Sequence, residues 1–248
     1  MKKDLLSNIS SNTLTALGSL SGDANVTIAA AVLSPVAVAV TNDIVSRTLS
    51  SLQSDRLNRA FALILNKCKI RRDRGDIYRE DAFMTENDGE QAKQVLEGIL
   101  LNINNEYEKK KVEYHANLFT NICFEERLIF EQAIAVSRII ERLSYRQLTI
   151  IAYAYTQKNL KTRGWQARFK DFANLAKYGD FYSELFSLET MGILHQDCPG
   201  HALGGVPLKL SELGKIIYQE VDLSDIPVTD INIIGDIMED INKIITGQ

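Results

Sequence analysis

The chain has 248 residues, 45% of them hydrophobic and 24% charged, and a net charge of −4. That balance suits one large or two small soluble domains with a self-sufficient core. It excludes a globally basic nucleic-acid binder, so any contact with phosphates has to come from a local patch. The three cysteines, Cys68, Cys123 and Cys198, are odd in number and far apart, which fits free thiols in a reducing cytoplasm.

Residues 1–42 form a low-charge apolar segment. Asp4, Asn8 and several serines follow Met1-Lys2-Lys3, so a secretory signal peptide is not expected. Leu6, Ile9, Thr13, Leu17 and Leu20 keep helical spacing. The run from Ala24 to Val40 (ANVTIAAAVLSPVAVAV) is the most apolar in the chain, at the short limit for a membrane span and built of Ala and Val around Pro35. The favoured expectation is a buried or self-associating helix; membrane insertion through Leu5 to Val40 is the alternative.

Residues 43–143 read as a helical body. A long amphipathic helix over 43–70 carries Ile44, Leu49, Leu52, Leu57, Phe61, Ile64 and Leu65, and Gly75 stops it after Arg71-Arg72-Asp73-Arg74. Asn87-Asp88-Gly89 is a turn. Val95, Leu96, Ile99, Leu100, Ile103 and Tyr107 share the next helical face, which continues through Tyr114, Leu118 and Ile122. Glu106→Lys110 and Lys109→Glu113 are expected i,i+4 pairs on its polar side. Glu125-Glu126 is expected to open a helix with Leu128, Ala135, Ile139 and Leu143 among its apolar positions.

Residues 144–223 have the order of a winged helix. Ser144 caps a helix with Leu148, Ile151, Ala152 and Tyr155 on one stripe. Phe169, Phe172, Ala173 and Ala176 follow at helical spacing after a basic connector. Phe181, Leu185 and Leu188 carry a third helix, closed by Met191-Gly192. Short extended runs at 193–195 and 206–210 flank a Pro/Gly-rich loop, and Ser211 starts a last helix with Leu213, Ile216 and Ile217 inward. Three helices, a hairpin and a helix are the winged-helix order. Residues 224–248 form an acidic amphipathic tail: Ile231, Ile234, Met238, Ile241 and Ile245 are spaced 3,4,3,4, a coiled-coil seam over two heptads. It serves as a dimer contact or as a helix docked on its own body. The expected fold is therefore mostly α, a helical N-terminal and central body followed by a winged-helix-like domain with a short β-hairpin and this tail.

No phosphate loop, dinucleotide fingerprint, HExxH or GxSxG is present in the sequence, so no enzyme or cofactor is expected and no small-molecule substrate is implied. His195, Asp197, Cys198 and His201 are zinc-ligand types at close spacing, but Cys-x-x-Cys is missing and a structural site needs ligands from a second segment. A polar wing tip explains them better. Two basic patches remain. One holds Arg56, Arg59, Lys67, Lys69, Arg71, Arg72, Arg74 and Arg79. The other holds Lys158, Lys161, Arg163, Arg168, Lys170 and Lys177, interleaved with Trp165, and is the candidate contact for nucleic acid or a partner. The third helix has Asp180, Glu184 and Glu189 and neither Lys nor Arg. An acidic recognition helix repels a duplex and offers no arginine for guanine.

Several segments together carry a resemblance: VLSPVAVAVTNDIVSRTL, ALILNKC, VLEGILLNINNEYEKKKVEYHANLFTNIC, RLSYRQLTIIAYAY and the close FSLETMGIL…LKLSELGKIIYQEV. Glu106, Glu108 and Glu113 stand in an acidic helix, with Ala116, Leu118 and Asn121 as A-x-L-x-x-N. Leu143-Ser144 is an L-S pair, and Gly192, Leu210, Ser211 and Gly214 form the ending. In these the chain resembles the Abi-alpha family of bacterial abortive-infection proteins over residues 33–221. The resemblance implies a part in phage defence and supplies no catalytic residues. The expectation is a non-enzymatic, cytoplasmic protein that associates with itself or another protein, with membrane association through its N-terminal segment as a variant. The alternative is a winged-helix DNA-binding regulator.

Overall fold

The computed structural model describes residues 51–86, 89–157, 160, 176–196 and 208–246. The expected elements before residue 51, Ala24 to Val40 among them, lie outside the described residues. The architecture is mostly helical with one small antiparallel sheet. The chain divides into two compact units, Met1–Arg142 and Leu143–Gln248.

In the first unit, α1 (Ser51–Asp73) buries Leu57, Ala60, Ile64 and Cys68, spaced 3,4,4 along one face. It ends where Gly75 takes φ +92°, a left-handed conformation in which glycine has no Cβ to clash. After the short α2 (Ala82–Thr85), Gly89 at φ +72° leads into α3 (Glu90–Asn105). A Cβ on Gly89 would lie 2.9 Å from the Met84 carbonyl oxygen. α3 buries Val95, Leu96, Ile99, Leu100 and Ile103, as its periodicity predicts.

The chain then departs from the expected continuous face. Glu106 is extended (φ −76°, ψ 125°) and Lys109–Lys111 form a 3-10 turn. Tyr107, placed on the helical face by spacing, is 83% exposed. The expected Glu106→Lys110 pairing is replaced by a buried ion pair between Glu106 and Lys111. Next, α4 (Val112–Phe124) is buried from Tyr114 through Cys123, the mark of a central helix. It packs against α1, α3 and α5 (Phe130–Arg142). α5 opens five residues after Glu125, with the Gln132 side chain accepting the Ile129 N–H at 3.2 Å. Its buried positions are Ala133, Val136, Ser137 and Ile140, so Ala135 is exposed and Ile139 only half-buried. Leu128 and Leu143, which helped define the expected face, are buried outside the helix and do not set its register.

In the second unit, Ser144 and Gln147 form a reciprocal cap on α6 (Tyr145–Gln157). The Gln147 N–H donates to Ser144 Oγ at 3.1 Å, and the Ser144 N–H donates to Gln147 Oε1 at 2.9 Å. Leu148, Ile151 and Ala152 are buried, whereas Tyr155 is 39% exposed and stacks on Tyr218 with ring centroids 3.7 Å apart. α7 (Gly179–Thr190) ends in a Schellman motif: Ile193 N–H donates to Leu188 O and Gly192 N–H to Glu189 O, both at 2.9 Å, with Gly192 at φ +72°. The strands β1 (Leu194–Gln196) and β2 (Leu208–Leu210) pair with Leu194 opposite Leu210 and Gln196 opposite Leu208. Leu160, which follows α6, exchanges both backbone hydrogen bonds with Leu208 at 2.9 Å. α8 (Glu212–Glu220) and α9 (Val228–Thr246) complete the unit, both packed on α6. The acidic tail is thus part of this unit, with Ile234, Met238 and Ile241 in its core.

Candidate interaction surface

α7 is held by its inner face, where Phe181, Leu185 and Leu188 are buried. Its outward positions are Asp180, Ser183, Phe186 and Thr190, with Phe186 53% exposed. The other two carboxylates are engaged locally. Glu184 accepts from Ser144 Oγ at 3.4 Å and lies 2.9 Å from Arg146 Nε, and Glu189 accepts from Gln196 Nε2 at 2.8 Å. The helix therefore offers an apolar and weakly acidic surface with no cation of its own.

Of the candidate basic contacts, Lys177 is described; Lys158, Lys161, Arg163, Trp165, Arg168 and Lys170 lie outside the described residues. Lys177 is exposed, 3.7 Å from Asp240 and over the Tyr178 ring at 4.7 Å, and the Tyr178 hydroxyl donates to the same Asp240 carboxylate at 2.7 Å. Hydrogen bonding to Tyr178, with Asp240 alongside, holds the Lys177 ammonium above its ordinary range. The Tyr178 hydrogen bond, then the neighbouring lysines, hold the Asp240 carboxyl below its own. In the other basic patch, Arg71 and Arg79 face inward. Arg71 holds Asp76, Asn121 and Glu125, and Arg79 holds Asp81 and two carbonyls.

The coiled-coil positions are placed on their own unit. Ile234, Met238 and Ile241 are at most 3% exposed against the body that includes α6, and Ile231 is half-buried. The side chain of Ile245 is outside the described residues. Of the weak zinc candidates, His195 is exposed on β1 opposite Lys209, while Cys198 and His201 lie outside the described residues. Among the described residues no group of three or more His, Cys, Asp or Glu side chains could hold a metal, and no helix is long and apolar enough to cross a membrane.

Sequence reasoning missed one polar cluster, in the first unit. The Glu106–Lys111 pair is sealed, with side chains 6% and 3% exposed. Lys111 Nζ also donates to the Glu141 carbonyl at 3.1 Å, and the Glu108 N–H donates to Glu106 Oε1 at 2.9 Å. His115, one helical turn beyond Lys111, is fully buried and neither ring nitrogen has a hydrogen-bond partner. Burial, then the Lys111 charge, pull its pKa down from 6.5 to about 4, against the weaker opposing pull of Glu106. The run EYEKKKVEYH carries no signal for this arrangement beyond residue types, because it depends on the chain leaving the helix at Glu106. Cys68 and Cys123 are free, fully buried thiols, and burial together with their mutual contact pushes the Cys123 thiol well up. Such thiols are poor nucleophiles.

No family model, no curated protein and no solved structure matches the chain.

Proposed function

We propose that the chain is a non-enzymatic bacterial phage-defence protein whose second unit is a winged helix used to hold another protein or a second copy of itself. The winged-helix reading is supported by the element order α6, Leu160, α7, β1, β2, α8, in which Leu160, after the first helix, pairs with Leu208 of the second wing strand. The observation that carries the choice of partner is the outward face of α7. In a winged helix this face is the one presented to a ligand. Here Phe186 and Asp180 are both exposed, with no Lys or Arg on the helix. Phosphates repel such a face, whereas a desolvated aromatic is a typical anchor of a protein interface. The setting in phage defence rests on the resemblance to the Abi-alpha family.

Two measurements test this reading. Plating efficiency of phage on a bacterial host expressing the chain falls, and Phe186→Asp restores it while leaving the circular dichroism spectrum unchanged. Equal plating with and without the chain removes the defence role. Separately, the wild type shows no salt-dependent retention on duplex DNA. Retention that weakens with salt, and is lost on reversing Lys161, Arg163, Arg168 and Lys170, gives the second unit to DNA instead.

A further inference from the structure

The first unit carries a buried imidazole in a setting that can accept it only neutral. His115 lies at 0% exposure on the central helix α4, one turn after the buried ammonium of Lys111. The one carboxylate acting on it is Glu106, and both of that group's oxygens are engaged: Oε1 accepts the Glu108 N–H and Oε2 faces Lys111. Among the described side chains, the elements packed on α4 bring no spare anion. From α1, Lys67 is turned to Glu113 at 3.6 Å, and Arg71 to Asn121 and Glu125. The buried positions of α3 and α5 are all uncharged, and α5 supplies the Glu141 carbonyl, which is taken by Lys111. A proton on His115 would put a second cation beside Lys111 in a site closed to water, with a single carboxylate between them. Burying an uncompensated charge is among the most costly changes a core can undergo.

We propose that His115 is an acid-operated latch of the first unit: its protonation releases α4 from α1 and α3 while the second unit stays closed. This goes beyond the proposed function and stands independently of it, because no part of the α7 surface is involved. The second unit has no counterpart among the described residues, where its histidine, His195, is exposed on β1. The direction follows from the imidazole being held neutral in the folded state. Well above pH 6.5 the imidazole is neutral in closed and opened forms alike, so it does not favour opening. Between 6.5 and about 4 the opened form takes up a proton that the closed form refuses. The closed-to-open ratio then falls about tenfold per pH unit, about 1.4 kcal/mol, and about 300-fold over the window.

The experiment uses the full chain. Amide hydrogen exchange is followed by peptide at a series of pH values, with intrinsic exchange rates divided out. Peptides from α1, α3 and α4 are expected to lose protection about tenfold per unit below pH 6.5, while those from α6 and α9 hold theirs. In His115→Gln the loss over this window disappears, whatever the variant's absolute protection. Titration of the three histidine resonances of the wild type gives a second readout that needs no variant. One of them, absent from His115→Gln where that variant folds, stays neutral well below pH 6.5. The proposal is overturned if α4 keeps its protection to pH 4, if both units lose protection in parallel, if His115→Gln falls as steeply as the wild type, or if all three histidines titrate near 6.5.

Discussion

The Ser211 hydroxyl donates to the Gly192 carbonyl at 2.6 Å and accepts the Gly214 N–H at 3.0 Å, while the Ser211 N–H donates to the Ile193 carbonyl at 3.0 Å. The C-terminal cap of α7 and the N-terminal cap of α8 are therefore one structure, bridged by a single side chain. It fixes the angle at which the α7 surface is presented. Ser211→Ala removes the cap and leaves the Gly192 carbonyl without this donor, at a cost of about 1–2 kcal/mol. Ser211→Thr keeps the hydroxyl and recovers most of it. Urea unfolding of the two variants tests this. An alanine variant as stable as the wild type would show that the bridge contributes nothing.

Gly214 lies one turn into α8, and its requirement is steric. A Cβ there would come 2.5 Å from Leu210 Cδ1 and 2.6 Å from the Ile193 carbonyl oxygen. Helix propensity alone favours alanine at this position by about 1 kcal/mol. The clash with backbone outweighs it, since overpacking costs about 1–3 kcal/mol. Gly214→Ala is thus expected to lower the thermal midpoint, although the substitution is helix-favouring. A raised midpoint would mean that α8 shifts freely away from Ile193.

The tail presents a test between two uses of one sequence pattern. Ile241 is fully buried and Met238 is 3% exposed on their own unit. Ile241→Ala should destabilise the chain by about 2–5 kcal/mol, as a cavity-forming substitution does. Its mass by analytical ultracentrifugation under native conditions should equal that of the wild type. A drop in mass without loss of stability would assign the seam to a contact between copies.

What was legible in the sequence was local. The α3 face at Val95, Leu96, Ile99, Leu100 and Ile103, the Ser144 cap, the Gly75 and Gly192 stops and the Ser211 start all rest on residues within a few positions of one another. What was not legible depends on distant partners. The backbone exchange between Leu160 and Leu208 couples single residues far apart in the chain, with no periodicity to announce it. Spacing carried the helical face past Asn105 to Tyr107, but the chain turns out at Glu106, and the tertiary pairing with Lys111 overrides the helical register. In the basic patch ending at Arg79, charge alone does not reveal that Arg71 and Arg79 turn inward.

Arg79 shows how much one such cation organises. It is 5% exposed, forms two hydrogen bonds of 2.6 Å to Asp81, and donates from Nη1 to the Glu125 and Leu128 carbonyls at 3.1 and 2.8 Å. Its guanidinium also lies 4.4 Å from the Phe83 ring centroid. It thereby ties the segment before α2 to the turn between α4 and α5. Arg79→Ala leaves the two carbonyls and Asp81 without these donors, and breaking a buried pair in this way costs about 3–5 kcal/mol. Arg79→Lys keeps the charge but not the planar fork, and an ammonium cannot hold a carboxylate through two parallel bonds while reaching both carbonyls. Lysine is therefore expected to recover only a minor part of the loss. Denaturant unfolding of both variants decides it: a lysine variant equal to the wild type would show that charge, rather than the geometry of the fork, holds this turn.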